Sequence, residues 1–166
     1  AAFRFLPQRR QDAMTVLYAF CRELDDVVDD CTDMQVAQTT LNWWRADLAK
    51  VFDGGAPEHP VCRALQGVVA EFALPHDELA EIIEGMQMDL TRARYANFAE
   101  LQLYCHRVAG VVGRLITRIL GFSRPETLNY ADKMGLALPV TEIADQFFLF
   151  IRKDTLPVAL ILPIGL

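Results

Sequence analysis

A chain of 166 residues with 52% hydrophobic side chains suits one domain with a sizeable core. Its formal net charge of −6 weighs against nucleic acid as a partner, so a polyanionic ligand would need a bridging cation and local arginines. No apolar run reaches the about 20 residues that a membrane-spanning helix takes, although the mean hydropathy of +0.17 is on the greasy side.

Cys21, Cys31, Cys62 and Cys105 form no CxxC pair and no regular framework. Reduced thiols and a cytoplasmic location are the expectation. The abrupt opening at Ala1-Ala2-Phe3-Arg4, without a signal-peptide pattern, makes us expect a natural start further upstream.

Pro7 suits the first turn of a helix that runs on into an acidic cluster. Leu17, Cys21, Leu24 and Val28 recur at helical steps and mark one buried side. Behind them Glu23, Asp25, Asp26, Asp29 and Asp30 crowd together. Asp25 and Asp29 are four apart, one turn above the other, and Asp26 and Asp30 repeat the pattern one position round. Arg22 stands three before Asp25, and Tyr18 seven before it, on nearly the same stripe. Like charges at this spacing repel and oppose the helix dipole. A hard divalent cation relieves both effects, and Mg²⁺ typically takes one or two carboxylates plus substrate phosphates. A solvated acidic helix end is the competing reading. Val27 and Val28 lie inside the run, so part of it should face a core.

The second predicted helix covers Met34 to Phe52, with Val36, Leu41, Trp44, Leu48 and Val51 on its apolar side. Trp43-Trp44 reads as rim plus core. Gly54, Gly55 and Pro57 end this helix, and a third runs from Pro60 to Phe72. The fourth spans about Asp77 to Ala93, with Leu79, Ile82, Ile83, Met86 and Leu90 as its stripe. Its methionines fill a core or line an adaptable apolar wall. Asp89 supports a metal site or pairs with Arg92. Asn97 followed by Glu100 caps a fifth helix, Phe98 to Leu120, that Gly121 stops. Each interior glycine costs a helix about 1 kcal/mol relative to alanine. Gly110 and Gly113 therefore call for a reason. They allow close helix packing, or they leave room for a bulky apolar ligand flanked by Tyr104 and Val108. A sixth helix covers about Glu126 to Leu138, and the apolar tail from Leu156 to Leu166 reads as core packing.

No segment alternates like a strand, so the expected fold class is all-α, a bundle with its site between facing helices. His59, His76 and His106 have no metal-ligand spacing, and no Glu-x-x-His occurs, which argues against a di-iron carboxylate bundle.

Taken in order, several stretches resemble the squalene/phytoene synthase family. They are Phe5-Leu6-Pro7, Leu17-Tyr18-Ala19-Phe20-Cys21-Arg22 with the acidic cluster, Trp43-Trp44-Arg45 and His59-Pro60-Val61. Gly85-Met86-Gln87-Met88-Asp89, Arg94-Tyr95 with Phe98, and Tyr104 to Gly113 follow. Within the family, the wording of the acidic run and of the Gly85 stretch is similar to bacterial presqualene diphosphate synthases of hopanoid pathways. The resemblance implies an isoprenoid synthase-type helical bundle and head-to-head condensation of two farnesyl diphosphates to presqualene diphosphate. Squalene, hydroxysqualene and phytoene are the other products open to the family. The resemblance also implies Mg²⁺ at Asp25 and Asp29, with Asp26 and Asp30 beside them. By the same resemblance, Arg22 would contact diphosphate, Tyr18 and Tyr104 would sit at the reacting carbons, and Val108 and Gly110 would line the prenyl tunnel. Met86 is expected in the substrate-binding wall. Peripheral membrane contact is expected from the greasy substrate and product.

Residues 1–138 read as the N-terminal part of such a domain, and 139–166 as a C-terminal helical segment that matches it poorly. Where the family carries a second aspartate-rich helix, this chain has Pro139, Glu142 and Asp145, and the motif is not carried over to them. The bundle is thus expected to be incomplete at both ends. The alternative function is a helical module that binds prenyl diphosphate without turnover.

Overall fold

The computed structural model describes residues 6–91 and 97–140, with all their side chains except those of 98 and 135–140. Every regular element among the described residues is helical, as expected. α1, Gln8–Asp29, starts directly after Pro7. α2, Met34–Phe52, is capped by Asp33, whose carboxylate accepts the N–H of Gln35 at 2.8 Å. α3, Pro60–Phe72, has proline in its first turn, and the His59 ring accepts the Val61 N–H at 3.2 Å. It ends at Ala73 in the left-handed conformation, φ +50°. α4, His76–Thr91, carries Asp77 and Glu78 in its first turn, where acids suit the helix dipole.

The long fifth helix exists but is not uniform. It consists of α5, Phe98–Cys105, a π-helical turn at His106–Gly110, and α6, Val111–Leu120. Its predicted cap is present, with Asn97 Oδ1 accepting the Glu100 N–H at 3.0 Å, and Gly121 ends it at φ +80°. α7 runs from Glu126 to Val140 and so passes through Pro139, two residues beyond the expected end.

The core is one cluster. Leu17, Phe20 and Leu24 of α1 meet Leu41 and Leu48 of α2, Leu65 of α3, Leu79, Ile82 and Ile83 of α4, and Leu115 and Ile119 of α6. Burying each such side chain contributes about 1.5–3 kcal/mol. α4 lies centrally, touching α1, α2, the π-turn and α6. Val36 was expected on the apolar side of α2 but is exposed, and Ala37 is buried instead. Val36 stands five residues before Leu41, which places it about 140° round the helix. Trp44 is buried, edge-on to Phe20 at 5.9 Å and 4.5 Å from the His59 ring, while Trp43 is 37% exposed at the rim.

Asp47 is fully buried on α2, which its sequence context does not announce. Burial works to raise its pKa, but bonds from the N–H groups of Glu58 at 2.7 Å and His59 at 2.9 Å, and from Lys50 at 3.3 Å, outweigh it. The carboxyl is held below its usual range, and the loop into α3 is tied down. No helix among the described residues is long and apolar enough to cross a membrane.

Candidate functional site

The acidic end of α1 divides by face. Arg22 Nε pairs with Asp26 one turn on, at 3.0 Å. Asp25 is half-buried, whereas Asp29 and Asp30 are exposed. Asp30 lies just past the helix, its N–H donating to the Asp26 carbonyl at 3.0 Å. Val27 and Val28 pack against the core, as their place in the run implied.

A second helix brings another carboxyl to this end. Asp89 of α4 accepts the Tyr104 hydroxyl at 3.0 Å. Burial, with the charges of Asp25 and Asp29 adding to it, pushes Asp89 up to about 6, against the lowering effect of the Tyr104 bond. Asp25 and Asp29 on α1, Asp89 on α4 and Tyr104 on α5 therefore form one electrostatic neighbourhood. Of the two roles that the sequence left open for Asp89, its described partner is Tyr104. Arg92 lies outside the described residues.

The contact between α4 and the long helix is built rung by rung. Glu78 meets Arg114 Nε at 2.9 Å and Arg118 Nε at 2.9 Å. Burial would raise the Glu78 carboxyl, but the arginine bonds outweigh it and hold it below its usual range. Glu81 meets Arg107 at 2.5 Å. Next comes Gly85, where an added Cβ would stand 2.8 Å from Val108 Cγ1 and 3.2 Å from Arg107 Cβ. The glycine thus permits the close approach of the π-turn. One turn further along α4, Asp89 reaches Tyr104, one turn earlier than Val108.

Met86, Val108 and Gly110 are all buried, and Tyr18 is 38% exposed on α1. On the other side of the π-turn, α7 takes up the clearance left by the two glycines. A Cβ at Gly110 would collide with the Asp132 carboxylate, and one at Gly113 would sit 3.2 Å from the Ala131 carbonyl. His106 Nδ1 meets Asp132 at 2.5 Å and fastens α7 there. Sequence spacing gives no sign of that pair, or of the Glu78 and Glu81 pairs.

The four cysteines are free thiols. Burial and then Asp25 push Cys21 up to about 12, and burial with Asp47 does the same to Cys62, so neither is a thiolate nucleophile. Among the described residues, no three His, Cys, Asp or Glu side chains are grouped to hold a metal ion. Asp25 and Asp29 can still offer a hard cation two carboxylates, with ligand oxygens completing its shell. Phe5, Arg94, Tyr95, Glu142, Asp145 and the tail 156–166 lie outside the described residues.

Residues 1–147 match the squalene/phytoene synthase family. A presqualene diphosphate synthase from Rhodopseudomonas palustris is 36% identical over 144 residues, covering 86% of this chain and 51% of that protein. A chloroplastic phytoene synthase from Narcissus pseudonarcissus is 35% identical over 146 residues, covering 88% of this chain and 34% of the relative. Among solved structures, a squalene synthase from Alicyclobacillus acidocaldarius superposes with a TM-score of 0.74 at 31% identity, covering 83% of this chain and 51% of that one. A dehydrosqualene synthase solved with a ligand gives 0.73 at 30% identity, covering 84% of this chain and 48% of that one. This chain thus spans about half the length of these structures, and over that half the expected isoprenoid synthase-type bundle is present.

Proposed function

Since the chain belongs to the squalene/phytoene synthase family, we propose that it carries the first diphosphate site of a head-to-head prenyl synthase. The reaction would join two farnesyl diphosphates into presqualene diphosphate. The observation that carries this reading is that Tyr104 donates to Asp89 at 3.0 Å while the charges of Asp25 and Asp29 act on the same carboxyl.

The donor set fits Mg²⁺. The aspartates at the C-terminal end of α1 offer hard oxygen ligands, and the charges of Asp25 and Asp29 reach as far as Asp89. Asp25 and Asp29 would hold the ion, with Asp26 and Asp30 beside them. When bound, it supplies Lewis-acid stabilisation to the departing diphosphate. Arg22 would turn from Asp26 to that diphosphate and add a positive partner for the developing charge. The allylic C–O bond breaks, and its electron pair leaves with the diphosphate. The double bond of the second substrate attacks the resulting cation, and loss of a proton closes the cyclopropane. Met86 and Val108 would keep water from the cation, since a trapped water would divert it to an alcohol, whereas the clearance at Gly110 is taken by Asp132 of α7. Tyr104 and Tyr18 would stand at the reacting carbons, with Tyr104 or the released diphosphate taking the proton. The greasy substrate and product favour contact of a cytoplasmic enzyme with a membrane surface.

Turnover of farnesyl diphosphate by the 166-residue chain, with and without Mg²⁺ and with Asp25→Asn alongside, tests the proposal by mass spectrometry of the organic products. A Mg²⁺-dependent thirty-carbon product, lost in the variant, is the expected result. Bound diphosphate with no product would replace the synthase with a binding module.

A further inference from the structure

We infer that Asp89 is a positioning residue, holding the Tyr104 hydroxyl in the site through a direct hydrogen bond at a helix separation that Gly85 sets. The two residue pairs are one turn apart on both helices. Gly85 faces Val108, and Asp89 faces Tyr104. At Gly85 a single Cβ would already stand 2.8 Å from Val108 Cγ1, so α4 lies closer to the π-turn than a side chain at this position would allow without a shift. That closeness is what brings the short Asp89 side chain to 3.0 Å from the phenol oxygen.

The chemistry of the pair fixes its direction. An ionised carboxylate only accepts, so the phenol must donate its proton to Asp89. The phenol oxygen then turns its lone pairs away from Asp89. What those lone pairs act on, a carbocation or a departing proton, rests on the proposed function. The hydrogen bond and its dependence on Gly85 do not. Asp89 works through Tyr104, so it is distinct in role from Asp25 and Asp29.

Tyrosine labelled with ¹³C at Cζ gives a direct readout, because the whole chain holds 4 tyrosines and Tyr104→Phe identifies the relevant resonance. Asp89→Leu removes the acceptor while keeping the branched side-chain shape, with Asp89→Ala as its replacement should the bulkier leucine variant fail to fold by circular dichroism. The Tyr104 resonance is expected to move in that variant, and to return in Asp89→Asn, which keeps an acceptor oxygen. Gly85→Ala, which forces the helices apart, should move the same resonance. In turnover of farnesyl diphosphate with Mg²⁺, loss of positioning should lower kcat about a hundredfold in Asp89→Leu while KM stays within about threefold. Asp89→Asn should recover at least about tenfold of that loss. An unmoved Tyr104 resonance in Asp89→Leu overturns the inference. So does an Asn variant that restores the resonance but turns over as poorly as Leu, since charge and not placement would then matter. A wild-type chain that makes no product would sink the proposed function instead, and the resonance alone would then decide the role of Asp89.

Discussion

At the scale of single residues, the Asp89 carboxyl works against folding and for the site. Burial, then Asp25 and Asp29, raise it from 3.8 to about 6. A carboxyl with a raised folded pKa binds its proton more tightly in the folded chain. Its stabilising contribution is therefore complete below about pH 4 and is lost as pH rises through about 6. Above that range the ionised group costs on the order of 3 kcal/mol. Asp89→Asn should thus stabilise the metal-free chain by about that much at pH 7.5 and by almost nothing near pH 4. Urea unfolding at the two pH values checks this. Asp47 has the opposite sign. Its lowered carboxyl contributes above its unfolded pKa, and that contribution is lost as pH falls. The two acids also differ in how readable they were. Asp89 sat in a stretch of glycine and methionines that drew notice, although its partner did not show. Asp47 looked like any charge on an amphipathic helix, because the loop N–H groups it serves lie 11 and 12 residues further on.

At the scale of elements, the close contact of α4 with the π-turn governs the site. Gly85→Ala would drive a methyl group against Val108, and a core insertion of this kind typically costs about 1–3 kcal/mol. A thermal unfolding scan of the variant should show the loss, and an unchanged Tm would mean that α4 has slack at this point. Helix limits were legible in the sequence because punctuation fixes them: Pro60 opens α3, Asn97 caps α5 and Gly121 closes α6. The wide turn at His106–Gly110 was not. It spans 5 residues, too few to disturb a periodicity read over a whole helix. Cross-helix pairs were equally hidden. Glu78 and Arg118 are 40 residues apart, and nothing in either neighbourhood names the other. Gly110 and Gly113 could be narrowed to packing or ligand space from sequence, but only the placement of α7 shows that packing occupies them here.

At the scale of the whole molecule, the ordered set of motifs made the family readable, since their sequence order follows the fold. The acidic end of α1 is also where ligand should report on global stability. Mg²⁺ with inorganic pyrophosphate at about 100 times Kd would stabilise the folded chain by about 2.7 kcal/mol. The melting temperature should rise accordingly, and rise less in Asp25→Asn. Neither component alone should match the pair, because the ion and the anion complete each other's coordination. The tryptophan corner gives such measurements a built-in optical channel. The chain holds 2 tryptophans, adjacent in sequence yet unequal in setting, one buried against Phe20 and His59 and one at the rim. Iodide should quench the Trp43 component of the emission and leave the Trp44 component until α2 separates from α1. A downward-curving quenching plot that straightens on unfolding would therefore time the opening of the core without any label attached to the protein.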